Sequence, residues 1–168
     1  MNRTNFLAGA LGLLLLASCT TSGLDSLVLD GAELHASLVA WQLDEELSIQ
    51  VPDGLPDNPH LSTSAEFVEA ISRRASQGQL GGEGIRAALF ALYLGESPIG
   101  LYGLEAGSAE VADRLEGTLR GIWAFNVERE RARVHRTGEV LVVVWHYGGA
   151  PACWDAVNAS VADRLVVP

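Results

Sequence analysis

The chain contains no lysine, so all 11 of its basic residues are arginine. That absence excludes Schiff-base chemistry and the lysine of a phosphate-binding P-loop, and no Gly-x-x-x-x-Gly-Lys motif occurs. Cysteine is nearly absent too. Two residues, Cys19 and Cys153, leave no room for a disulfide framework or a Cys-x-x-Cys redox pair. The four histidines, at 35, 60, 135 and 146, fall in separate segments with no His-x-x-x-His spacing, so no metal site and no cofactor are expected. No Gly-x-Ser-x-Gly or paired-acid motif is present. Positive charge is scarce against 21 Asp and Glu. A surface this acidic repels nucleic acid and anionic lipid, which removes both as general partners.

What is present begins with an address. Arg3 supplies a positive start, and residues 6–17 form an apolar run without charge. A helix needs about 20 residues to span a bilayer, so this run suits the core of a signal peptide. It ends in Leu16-Ala17-Ser18-Cys19, which resembles the bacterial lipobox. The resemblance implies cleavage before Cys19, diacylglycerol on its sulfur and palmitate-type acylation, making the mature chain a lipoprotein. Residues 1–18 are then signal peptide, 19–30 the lipidated cysteine and its tether, and 31–168 one domain whose β-rich half is 85–168. A tether from Thr20 to Ser26, at about 3.5 Å per residue, keeps that domain within roughly 25 Å of the lipid. Thr20 stands where enterobacterial lipoproteins kept at the inner membrane carry Asp. The resemblance therefore implies the outer membrane, facing the periplasm.

About 150 residues suffice for one domain with a real core, and 48% hydrophobic content argues against disorder. Losing Arg3 with the leader leaves ten arginines against 21 carboxylates, a net charge of −11. Lipid on Cys19 leaves Cys153 without an intramolecular partner. A buried, inert thiol is the ordinary outcome; an intermolecular disulfide joining a homodimer and a reactive thiol are the alternatives.

Asp30-Gly31-Ala32-Glu33 has the form of a capped helix start, and Leu34, Leu38 and Trp41 continue it to about residue 47. Residues 51–60, with prolines at 52, 56 and 59, read as a loop or linker. Thr63-Ser64-Ala65-Glu66 is a second capping box, before a short helix carrying Phe67, Ile71 and Ala75 on one face. Residues 87–94 and 99–105 form a hairpin around Gly95-Glu96-Ser97-Pro98. Ser108 caps a helix with a Val111, Leu115, Leu119, Ile122 stripe. Residues 131–136 and 139–147 form a second hairpin around Thr137-Gly138. A last helix follows Pro151 with Trp154, Val157, Val161 and Leu165 as its stripe. Val-Ala-Asp-Arg-Leu occurs in both long helices, at 111–115 and 161–165, at different distances from their starts. The predicted class is α+β: an antiparallel sheet of two hairpins, each followed by a helix packed on one face, with N-terminal helices.

A two-residue turn sets Arg136 opposite Glu139, Val134 opposite Leu141, and His135 opposite Val140. Alternation then assigns Ala132, Val134, Leu141, Val143 and Trp145 to the core face. The other face carries Arg131, Arg133 and His135 beside Val140, Val142, Val144 and His146. Arginine stems covering valines, with heads paired to Glu128, Glu130 or other carboxylates, explain such a face. The functional alternative is a surface that receives an anionic or sugar ligand or a periplasmic protein, with Arg131, Arg133, His135 and His146 as its binding residues. For catalysis the one candidate is Cys153 near a helix start, with His146 or Asp155 to orient or deprotonate it.

Residues 99–168 run strand, helix, hairpin, helix and the short Val166-Val167-Pro168. That order, with Leu101-Tyr102-Gly103-Leu104 before a helix bearing Ala112 and Leu115, is similar to the SPOR family. Its second strand end is matched by Val144-Trp145-His146-Tyr147-Gly148, and an extra strand at 87–94 precedes the module. The likeness implies a ferredoxin-like domain binding peptidoglycan glycan strands stripped of their peptides. The expectation from the whole sequence is a non-catalytic envelope lipoprotein, a binding or accessory module for a periplasmic protein. SPOR-like wall binding and a thiol-dependent enzyme using Cys153 are the alternatives.

Overall fold

The computed structural model describes residues 22–27, 48–95, 97–125, 131–148 and 152–166. The helix expected at 31–47, Glu128, Glu130 and Pro151 lie outside them. In chain order a single 3-10 turn, Asp25–Leu27, is followed by β1 (Ser48–Ile49), β2 (His60–Ser62) and α1 (Ala65–Ala75). Then come β3 (Ile85–Leu94), β4 (Ile99–Ala106), α2 (Ala109–Phe125), β5 (Ala132–Thr137), β6 (Val140–His146) and α3 (Trp154–Val166). The α+β class and the β-β-α-β-β-α order expected for the C-terminal half are observed.

All pairings are antiparallel. The strand order is β1-β3-β4-β6-β5, with β2 beside β1 on the same edge of β3. Strand β6 returns between β4 and β5, so β4 and β5 run parallel, linked by α2. Each long helix takes one face of the sheet, and the faces are opposite. Helices α1 and α2 cover Ala88, Phe90, Leu104, Leu141 and Val143 through Ile71, Ala75, Leu115 and Leu119. Helix α3 covers Leu89, Leu101, Val140, Val142 and Val144 through Trp154, Val157, Val161 and Leu165. Each such side chain contributes about 1.5–3 kcal/mol on burial. The two long helices therefore sandwich the sheet. Val166, which follows the last helix in the sequence reading, is the end of α3.

Local chemistry explains the element ends. Ser64 caps α1 by accepting from the Phe67 amide at 3.3 Å, one residue later than the capping box at Thr63 would place it. Ser108 does the same for Val111 in α2. The second hairpin turns on Gly138-Glu139, with Gly138 at φ 52° in the first central position, where a tight hairpin turn favours glycine. Its register therefore differs by two residues from the expected one. Thr137 faces Val140, Arg136 faces Leu141, His135 faces Val142, and Val134 faces Val143. A two-residue shift keeps every side chain on its expected face.

The N-terminal segment differs more. Thr20 to Ser26 is not all tether, because Ser22–Leu27 packs into the domain. Leu24 and Leu27 are fully buried in the α3-side core. Gly103 of β4 makes room for Leu24: a Cβ there would lie 2.8 Å from Leu24 Cδ2. The Ser22 hydroxyl donates to the Glu105 carboxylate, and Arg164 of α3 donates to the Ser26 carbonyl at 2.9 Å. Two leucines three apart on a helical turn have enough apolar area to hold the segment down.

Candidate functional site

Strand β5 is a sheet edge, and its odd-numbered residues point toward α3. Arg133 meets Asp155 at 2.9 Å and lies 5.5 Å from the centre of the Trp154 ring. His135 Nε2 is 2.9 Å from Asn158 Oδ1, while Asn158 Nδ2 donates to the Trp154 carbonyl at 2.8 Å. With the amide oxygen turned to His135, the imidazole Nε2 is the donor. His146 is 5% exposed and meets Trp154 edge to face at 4.6 Å. Neither of its ring nitrogens has a hydrogen-bond partner. The structure thus brings Arg133, His135 and His146 together around the first turns of α3. Helix α3 lies on the valines between them, while Arg133 and His135 also border an open groove. Arg131 stands at the border of this edge, partly exposed.

Cys153 does sit at the start of α3, with its carbonyl accepting from Val157. Its side chain is 0% exposed, it forms no disulfide, and Asp155 is turned outward to Arg133. Neither ring nitrogen of His146 hydrogen-bonds to the thiol, and Asp155 is taken by Arg133.

A pocket lies elsewhere, where the sequence suggested only a loop. Strands β1 and β2 pair with residues 93–94 and 88–90 of β3, leaving Ala91 and Leu92 between them. The Asn58 side chain fills the gap as a strand would. Its Nδ2 donates to the Leu92 carbonyl at 2.7 Å and the Gln50 carbonyl at 2.8 Å, and its Oδ1 accepts from the Leu92 amide at 3.0 Å. That stitch, with His60 Nδ1 on Asp57, holds the proline-bearing loop over α1. Beneath it opens a cavity of about 460 Å³, walled by Leu55, Phe67, Ile71 and Phe90, with His60 and Arg74 among its polar groups. Asp53, Ser64 and Glu66 also line it. No carboxylate pairs with Arg74 among the described residues. The size and mixed lining suit a small organic ligand with an apolar body. A larger, more open groove runs past Arg120, Trp123, Arg133 and His135. The loop pocket is the better candidate because three elements wall it. Three prolines and one asparagine were its only signals in the sequence.

Charge elsewhere is used in pairs. Arg136 reaches Asp113 and Glu116, both at 2.7 Å, and its guanidinium is held further toward the charged form by them. Arg120 and Arg136 hold the Glu116 carboxyl below its ordinary value. The Gly82 amide, then Arg73, do the same for Glu69. Burial pushes the Tyr102 hydroxyl up. No group of three or more His, Cys, Asp or Glu side chains able to hold a metal occurs among the described residues.

No protein-family model, no curated protein and no solved structure matches the chain.

Proposed function

We propose that this chain is a lipid-anchored lipoprotein of the bacterial cell envelope. Its folded domain acts as a non-catalytic binding or accessory module facing the periplasm, at the outer membrane if Thr20 sorts it as in enterobacteria. The observation that carries the reading is Leu16-Ala17-Ser18-Cys19 at the end of an apolar run preceded by Arg3. The loop pocket beside Arg74 gives such a module a place to receive a ligand, and the exposed Tyr147 a point of contact for a periplasmic protein. Wall binding of the SPOR type draws support from the β4-β6-β5 order, but α3 occupies the sheet face it would use. An enzyme built on Cys153 would first have to uncover the thiol.

The test is expression of the full chain and of Cys19→Ser in a bacterium, followed by membrane fractionation and detergent-phase partitioning. The parent chain is expected in the membrane and the detergent phase, and the variant in neither. A parent chain that stays aqueous would overturn the reading.

A further inference from the structure

We infer that the domain stands on the membrane in one orientation, with the end of the sheet that holds the β5–β6 turn toward the lipid headgroups. The inference rests on the lipid-anchor reading and goes beyond it. Its basis is where the packed chain begins. Ser22 is held by Glu105, and the neighbouring Gly23 amide donates to the same carboxylate at 3.1 Å. Glu105 pairs with Val140 across the sheet, so Ser22 lies level with the first residue of β6. Only Thr20 and Thr21 separate it from Cys19. Three residue steps reach at most about 11 Å.

That reach is short beside the domain. From Val140 to Tyr147 the strand rises about 24 Å, at roughly 3.4 Å per residue. The anchored end therefore cannot leave the headgroup region, while nothing in the tether holds the opposite end to it. The anchored end is also braced: Arg86 meets Glu139 at 2.5 Å and Glu105 at 3.2 Å, tying the two hairpins together beside the tether. Its charge does not draw it to anionic lipid, since the arginines at this end are engaged: Arg86 with Glu105 and Glu139, Arg136 with Asp113 and Glu116, and Arg164 with the Ser26 carbonyl. The tether, rather than surface attraction, sets the orientation. The consequence is positional. Tyr147, 71% exposed, and the proline-bearing loop stitched to Leu92 lie toward the far end, open to the periplasmic space.

The test uses the lipidated full chain in vesicles of phosphatidylethanolamine and phosphatidylglycerol containing a nickel-chelating lipid. Nitroxides are placed singly at Thr137→Cys and Tyr147→Cys, both exposed positions, with the unsubstituted chain as the blank. Relaxation of the nitroxide by headgroup nickel is expected to be at least about three-fold greater at 137 than at 147, given the strand rise between them. Inserting ten Gly-Ser residues between Thr21 and Ser22 is expected to erase the contrast. Equal or reversed relaxation in the parent chain, or a contrast that survives the insertion, would overturn the inference while leaving the anchor intact. A chain that does not float with the vesicles would overturn the anchor reading and the inference with it.

Discussion

Gly100 and Trp145 face each other across β4 and β6, and the indole lies flat over the glycine. A Cβ built on Gly100 falls 2.1 Å from Trp145 Cζ2 and 2.2 Å from Cε2. Carbon atoms in contact prefer roughly 3.5–4.0 Å, so Gly100→Ala must push the ring away by more than about 1 Å. The ring has little freedom to go. It stacks on Tyr102 at 5.5 Å, and Tyr102 in turn contacts Phe90 at 5.9 Å. Overpacking of this kind costs about 1–3 kcal/mol, and a disturbed aromatic pair about 0.5–1.5 kcal/mol. Removing a flexible glycine from a strand returns about 0.5–1 kcal/mol. The net expectation is a loss of about 2 kcal/mol for Gly100→Ala. In a Trp145→Ala background the obstacle is gone, and the same change should be neutral or stabilising by a few tenths of a kcal/mol. Trp145 Nε1 has no hydrogen-bond partner, so no polar loss enters the comparison. Urea unfolding followed by far-ultraviolet dichroism, on all four chains, measures the coupling. An equal penalty in both backgrounds would refute the packing argument.

Three further outcomes follow from the same structure. Asn58→Ala removes the partners of both Leu92 backbone groups, which should destabilise the domain by about 1–3 kcal/mol and speed hydrogen exchange at the Leu92 amide; unchanged exchange would contradict the stitch. Glu116 is held below the ordinary carboxylate value of 4.5, so the unfolded chain takes up its proton first as pH falls. Its stabilisation is complete above that value and lost as pH drops through the lowered one, so Glu116→Gln should flatten the fall in urea midpoint as pH drops below 4.5, and a slope unchanged from the parent chain would count against the cause given. Cys153 should react with a thiol reagent only as fast as the native domain opens, and urea should accelerate it greatly; prompt stoichiometric labelling of native protein would contradict its enclosure.

Periodicity made the helices and hairpins legible. The Leu115–Leu119 and Val157–Val161 stripes, the serine caps and the Gly138 turn each state a local preference strong enough to survive tertiary packing. Face assignment within the second hairpin survived for a geometric reason, because a two-residue slip preserves alternation. What was misjudged was how many faces are buried. Val140-Leu141-Val142-Val143-Val144 is apolar at every position, the mark of a strand covered on both sides, and Leu89-Phe90-Ala91 says the same of β3. Taking only one face as core left Arg133 and His135 looking like the rim of an open surface. They are instead the border that seals α3. Leu24 and Leu27 carried too short a pattern to separate from a linker, and their burial depends on the hollow at Gly103, some eighty residues away. Nor does local sequence reveal the loop pocket, because Asn58 completes the sheet edge through a side chain.

On the proposed reading, a lipid on Cys19 sets where every other feature of this chain acts. Mass spectrometry of the protein purified from bacterial membranes tests it directly, through the mass of its N-terminal peptide. The account predicts a mature chain that begins at Cys19, with diacylglycerol on the sulfur and no residue of the segment 1–18 remaining. A chain that begins elsewhere, or a Cys19 with an unmodified thiol, would contradict it.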